Sequence, residues 1–169
     1  MTKILYEPKK DLKNWLRIKD KYPESFTITK HYPFDKDIIL KKENFRKILS
    51  SISKTKTKYF NIQAKIIKKT WQTREDKIIN KITDYLSFPF SKIDFKANLT
   101  TAYLMPYDYK DKWFMIPTHK GIEDQILCLI HELFHLYQVK KNPNMNEVKK
   151  EKEVKDFLKN IRKSDHFKK

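Results

Sequence analysis

The segment from Ile122 to about Val139 constrains the fold most, because apolar residues in it point in almost every direction around a helix. Glu123 and Asp124 stand in its first turn, where the helix dipole favours acidic side chains. A helix that is apolar all round is normally buried at the centre of a domain. The sequence therefore predicts a buried central helix that the other elements cover.

Three polar residues interrupt this apolar run in the pattern H-E-x-x-H, namely His131, Glu132 and His135. Two histidines four residues apart project from one face of a helix, within reach of one metal ion. Without such a partner, burying them would cost several kcal/mol. The pattern predicts one Zn²⁺ per chain, with Glu132 as the general base that takes a proton from a water molecule activated by the metal. The alternative is a pair of exposed histidines on a surface helix, which the apolar neighbours disfavour.

A catalytic zinc normally has three protein ligands and one open position. In a last helix predicted over about 146–161, Glu147 and Glu151 share one stripe with the apolar positions. This spacing favours Glu147 as the third ligand and Glu151 as the acceptor of a hydrogen bond from a ligating imidazole. Glu151 is the alternative third ligand, and both residues have a structural interpretation as acids in a first helical turn.

The motif His131-Glu132-Leu133-Phe134-His135, followed by Asn146-Glu147-x-x-x-Glu151, resembles the gluzincins, and most of all the very small minigluzincin peptidases. The resemblance covers residues 73–161. It implies zinc ligands at His131, His135 and Glu147, a general base at Glu132, and a peptide or protein substrate. It departs in the connection of eleven residues between His135 and Glu147, shorter than in thermolysin-like enzymes, which leaves the choice between Glu147 and Glu151 open.

The resemblance also implies an α+β, minimal zincin-like domain. In it, a small, mostly antiparallel sheet packs on the buried motif helix and the C-terminal glutamate helix. We expect an N-terminal α/β extension over 1–70, a catalytic domain over 71–162 and a basic tail over 163–169. Periodicity predicts helices and strands elsewhere. The helices are 9–20, 42–53 and 74–87, and the strands are 26–29, 38–40, 58–67, 93–105 and 113–116, with 93–117 as a hairpin. For 58–67 the alternative is a long helix that continues from 42–53.

In zincins a strand near the motif helix pairs with an extended substrate, and by resemblance Ala102–Met105 or Trp113–Ile116 would do so here. The reaction also needs a donor for the developing oxyanion. The candidates are His119, Tyr103, Tyr107 and Tyr137, each of which has an ordinary structural interpretation as well. A closed, purely structural zinc site would instead take a fourth ligand from Cys128, Asp124 or Glu151.

Composition narrows the function further. The net charge is +17, which fits either nucleic-acid binding or a lysine-rich solvated surface, and the scattered lysines favour the latter. One glycine excludes glycine-rich phosphate loops, and one cysteine excludes an internal disulfide. No apolar stretch predicts a membrane span or signal peptide, so a cytoplasmic location is expected. The sequence predicts a zinc peptidase. The alternative is a basic nucleic-acid-associated or regulatory protein with a zincin-like fold and a non-proteolytic zinc site.

Overall fold

The computed structural model describes residues 2–21, 42–89, 91–102 and 105–163. The predicted strands 26–29 and 38–40, Tyr103, and residues 164–169 of the tail lie outside these ranges. Within them the chain forms five helices and four strands. In chain order these are β1 (Lys3–Tyr6), α1 (Pro8–Lys21), α2 (Lys42–Gln72), α3 (Glu75–Leu86), β2 (Lys96–Thr100), β3 (Tyr107–Asp108), β4 (Trp113–Pro117), α4 (Ile122–Lys141) and α5 (Glu147–Lys163). The α+β class is confirmed.

The sheet is mixed, and its strand order is β1-β2-β4-β3. Strands β1, β2 and β4 run parallel, and only β3 is antiparallel to its neighbour β4. The prediction of a mostly antiparallel sheet is therefore wrong, and so is the hairpin over 93–117, because β2 and β4 are parallel neighbours. The hairpin that forms is β3–β4, in which β3 occupies the end of the sheet.

Strand β2 ends where α1 binds its last residues. Asp11 accepts hydrogen bonds from the hydroxyl of Thr100 (2.7 Å) and from the backbone N–H (2.9 Å) and hydroxyl (2.7 Å) of Thr101. The Tyr6 hydroxyl donates to the same carboxylate at 3.0 Å. Donors on Thr101 that bind a side chain cannot continue the ladder, so the strand stops there. The chain then crosses to the far side of β4 before it returns as β3.

The predicted strand 58–67 is wrong, because these residues belong to the long helix α2. The buried residues Phe60, Ala64, Ile67 and Trp71 recur with helical spacing. Ile62 and Ile66, which gave the impression of strand-like alternation, lie on the outside with about half of their surface exposed, at 49% and 47%. The domain boundary predicted at residue 70 falls inside this helix, and residues on both sides of it pack into one core.

Helix α4 is the buried central helix that the sequence predicts. Leu129, Ile130, Leu133 and Phe134 are each fully buried. Burial of such side chains stabilises the fold by roughly 1.5–3 kcal/mol each. On one flank the Phe134 ring packs 4.7 Å from the ring of Phe157 on α5, and this contact fixes the two helices that carry the site.

None of the helices within the described ranges has both the length and the apolar character needed to cross a lipid bilayer.

Candidate metal centre

Three side chains from two helices converge on one point: His131 and His135 from α4, and Glu151 from α5. Their ligand atoms all lie within 4.8 Å of one another. The Nε2 atoms of the two histidines are 3.1 Å apart. Glu151 Oε1 lies 3.2 Å from Nε2 of His135 and 3.8 Å from Nε2 of His131. The group therefore brings two imidazole nitrogens and one carboxylate oxygen together.

These separations fit a tetrahedral metal ion. Zinc binds histidine nitrogen and carboxylate oxygen at about 2.0–2.2 Å, which places neighbouring ligand atoms about 3.3–3.5 Å apart. The three observed separations, 3.1, 3.2 and 3.8 Å, lie on both sides of that range. One carboxylate and two imidazoles also form a donor set that zinc accepts, and three protein ligands leave the fourth position open.

A hydrogen-bonded chain behind the site fixes the tautomer of His135. The Gln138 amide nitrogen donates to Glu153 Oε2 at 2.9 Å and to the Lys150 carbonyl at 3.3 Å. Its oxygen Oε1 must therefore face Nδ1 of His135, 2.7 Å away, and accept a hydrogen bond from it. With a proton on Nδ1, the neutral form of this imidazole has the lone pair of Nε2 directed at the site.

The ligand atoms of the group are placed so that a cation can bind them together. When His135 is neutral, its Nε2 and Oε1 of Glu151 are both acceptors 3.2 Å apart, and a proton or a cation between them relieves their repulsion. A single proton bridges two acceptors, whereas here His131 supplies a third ligand atom close to the same point. A metal ion satisfies all three at once.

The third member of the group is Glu151, which the sequence offered as the alternative to Glu147. Glu147 is exposed, stands outside the group, and accepts an ion-paired hydrogen bond from Lys150 Nζ at 2.8 Å. The buried residues of α5 are Lys150, Val154, Phe157 and Ile161, so this helix is rotated from the stripe that the sequence suggested. The hydrogen-bonding role assigned to Glu151 is filled by Gln138 at His135.

Glu132 lies beside the group and not within it. Its carboxylate is buried, with Oε1 4.0 Å from Nε2 of His131. Burial, together with the negative charge of Glu151, raises the pKa of Glu132 to about 8, against a smaller opposing effect of the Tyr109 hydroxyl. Burial and the neighbouring His135 lower the pKa of His131 to about 4, so this imidazole is neutral and able to ligate.

Tyr109 is a site residue that the sequence reasoning missed. Its hydroxyl lies 3.5 Å from Oε2 of Glu132, and its ring centroid is 5.9 Å from that of His135. Burial first, then the charge of Glu132, raise the pKa of Tyr109 above its usual value, so the hydroxyl stays protonated and can donate. The available signal was a pair of tyrosines two residues apart, Tyr107 and Tyr109, in an otherwise polar stretch.

The other candidates take different places. Tyr107 is half exposed and stacks on Tyr109, with ring centroids 4.2 Å apart. Tyr137 is buried in the core, and its hydroxyl accepts a hydrogen bond from the Ile93 backbone N–H at 3.3 Å, so it does not serve the site. His119 lies exposed in the turn before α4. Cys128 and Asp124, considered as closing ligands, are not members of the group.

A scan against protein-family models and searches of curated proteins and of solved structures find no match to this chain.

Proposed function

We propose that this protein is a zinc-dependent peptidase that hydrolyses peptide bonds, with His131, His135 and Glu151 holding the metal. The observation that carries the proposal is the buried carboxylate of Glu132 next to a converging set of two imidazoles and one carboxylate. A purely structural zinc site needs a fourth protein ligand. Within the described residues this group has three, and the residue beside it is a base.

The chain's own residues then divide the work. A zinc ion held by His131, His135 and Glu151 would supply Lewis acidity, to polarise a carbonyl and to lower the pKa of a water molecule. Glu132 accepts the proton of the attacking water and returns it to the leaving amine, a role that suits a carboxylate buried beside the metal ligand His131. The Tyr109 hydroxyl has one proton, which it donates to the Glu132 carboxylate and so orients it; once Glu132 has taken a proton from water, the same hydroxyl is free to donate to the developing oxyanion.

The substrate lies along β3 in this proposal. Trp113–Ile116, one of the two segments considered for strand addition, belongs to β4 between β2 and β3, so it is an interior strand. Strand β3 ends the sheet, and in the described part of the chain no strand pairs with its outer edge. A peptide added there lies next to Tyr109, and through it next to Glu132.

The test compares three proteins on a mixture of peptides analysed by mass spectrometry. The wild type with one equivalent of zinc should cleave peptides, and chelation with EDTA should stop cleavage. Glu132→Gln should bind zinc as the wild type does and cleave nothing. Asp84→Asn, an exposed change on α3, should behave as the wild type does. The proposal would be refuted if the wild type binds no zinc or if the Glu132→Gln variant still cleaves peptides.

The charge of +17 supports a second candidate, a nucleic-acid-associated protein in which the zinc site is not proteolytic. It predicts tight, steeply salt-dependent binding of duplex or single-stranded DNA together with no peptide cleavage by the zinc-loaded wild type. If the zinc-loaded wild type cleaves peptides and binds DNA only weakly and without specificity, the positive charge is a property of the solvated surface and not a sign of nucleic-acid binding.

A further inference from the structure

A pocket of about 470 Å³ lies between α1 and the β3–β4 hairpin. It opens on the face of the sheet opposite α4, because Trp113 and Met115 line it whereas their neighbours Phe114 and Ile116 point into the core. The metal centre lies on the α4 side. The two sites therefore flank the same hairpin, and Tyr107 belongs to the lining of this pocket.

The rim of the pocket is positively charged. Lys10, Lys13 and Arg17 line it from one face of α1, at the spacing of successive helical turns, and no acidic side chain is among the lining residues. Lys10 is ion-paired with Glu7 at 3.1 Å. Lys13 and Arg17 are exposed and form no ion pair with another residue of the described ranges. The pocket thus offers two positive charges to an anionic group.

The floor of the pocket is apolar. Trp113, Met115 and Pro106 provide it. Such a floor under a cationic rim suits a group with an aliphatic stem and a terminal carboxylate, because the stem covers apolar surface while the guanidinium of Arg17 can bind both carboxylate oxygens. A glutamate side chain has this chemistry.

The geometry of the end strand links this pocket to the metal centre. Tyr107 lines the α1 pocket, and its ring stacks on that of Tyr109, whose hydroxyl lies 3.5 Å from Oε2 of Glu132. Side chains of an extended peptide on the outer edge of β3 alternate between the two faces of the sheet. When one side chain faces the metal centre, the next one faces the α1 pocket. We infer that the α1 pocket selects an acidic side chain of the peptide substrate. This side chain lies an odd number of residues along the peptide from the residue that faces the metal. The inference rests on the proposed peptidase function.

A peptide fits these features better than a nucleic acid does. The pocket is a single bounded cavity beside a strand edge, whereas a single-stranded nucleic acid is bound by a groove that follows several phosphates with aromatic platforms between them. The described rim has cations on α1 alone, in one cluster. A single carboxylate side chain, placed by backbone pairing of the peptide with β3, can bind the positively charged side chains of this cluster.

The test uses zinc-loaded Glu132→Gln, which should bind peptide without turnover, and two labelled decapeptides, (Ala-Glu)₅ and (Ala-Gln)₅. Their alternation places every Glu or Gln on one face in any register. By fluorescence anisotropy we expect (Ala-Glu)₅ to bind about tenfold more tightly, the size of one hydrogen bond to a charged group. Adding Lys13→Gln with Arg17→Gln should abolish that difference, and adding Lys9→Gln with Lys65→Gln, an equal loss of exposed charge elsewhere, should keep it.

Tryptophan emission gives a second readout. Trp113 lines the pocket, whereas Trp15 and Trp71 are buried, at 2% and 0% exposed. Binding of (Ala-Glu)₅ should therefore change the emission, and Trp113→Phe should remove that change.

The outcomes separate the two proposals. Equal binding of both peptides while the wild type cleaves peptides without preference for acid overturns the pocket and leaves the peptidase standing. Acid-selective binding with no cleavage by the wild type supports the pocket and overturns the peptidase. Tight binding of a ten-nucleotide oligothymidylate that is lost with Lys13 and Arg17 makes the pocket a nucleic-acid site and overturns the inference.

Discussion

Glu132→Gln should make the metal-free protein more stable at neutral pH. The carboxylate is 7% exposed, and the folded protein raises its pKa to about 8 from an ordinary value of 4.5. An acid whose pKa is raised by folding favours the folded state fully only below its unfolded pKa. Stability then falls as pH rises from 4.5 towards 8, by about 1.36 kcal/mol per pH unit.

The size of the effect follows from that interval. At pH 7 the free energy of unfolding of the wild type is lower than at pH 4.5 by up to about 3 kcal/mol because of the Glu132 carboxylate alone. Glutamine has nearly the same shape and does not titrate, so the variant does not lose this stability. We expect the variant to exceed the wild type by up to about 3 kcal/mol at pH 7 and to differ little from it at pH 4.5.

The assay is urea unfolding of EDTA-treated protein at pH 4.5, 6 and 7.5, followed by tryptophan emission. Asp124→Asn, an exposed change on the same helix, serves as the control and should keep the pH dependence of the wild type. Zinc should reduce the difference in the free energy of unfolding between Glu132→Gln and the wild type, because a cation beside Glu132 stabilises its charged form. If the wild type and Glu132→Gln lose stability in parallel between pH 4.5 and 7.5, the burial argument for Glu132 is wrong.

Three further predictions concern the same site. Glu151→Gln should weaken zinc binding more than tenfold by competition titration, because it replaces a charged ligand, whereas Glu147→Gln should leave zinc affinity unchanged. Gln138→Leu should lower zinc affinity by about 10–100-fold, since it removes the group that holds the His135 ring, and unchanged affinity in that titration would refute this role. Tyr109→Phe should lower kcat by about tenfold with zinc content and KM nearly unchanged, and a change in KM alone would assign Tyr109 to substrate binding.

The parts of the fold that sequence predicts are those that local pattern decides. Helix α4 is apolar on all sides, so its burial does not depend on which elements surround it. His131, Glu132 and His135 occupy fixed positions relative to one another on that helix, and this geometry is present in five consecutive residues.

The third ligand depends on packing and not on pattern. Residues four apart on a helix differ by only about 40° around the axis but by about 6 Å along it, so the rotation of α5 and its position along the axis decide whether Glu147 or Glu151 faces the histidines. That rotation is set by Phe157, which packs on Phe134 of α4 and on Tyr85 of α3. Neither contact is visible in the spacing of the acids along the chain.

The prediction of a mostly antiparallel sheet was wrong for a related reason. An apolar run shows that a strand is buried but not which strand it pairs with. Asp11 binds Thr100 and Thr101 where β2 ends, and the next strand, β3, lies on the far side of β4, so the hairpin forms between β3 and β4 and leaves β2 parallel to β4. Asp11 is nearly ninety residues away in sequence, and the lysines around it on α1 gave no sign that it would be buried.

The most direct test of the metal centre is anomalous diffraction at the zinc absorption edge from crystals grown with zinc. We expect one strong peak about 2.0–2.2 Å from Nε2 of His131, Nε2 of His135 and a carboxylate oxygen of Glu151. We also expect Glu132 to stay outside the coordination sphere, with no fourth protein ligand. The absence of a peak in this group, or a peak bound by a fourth side chain such as Cys128, would contradict the proposed zinc site.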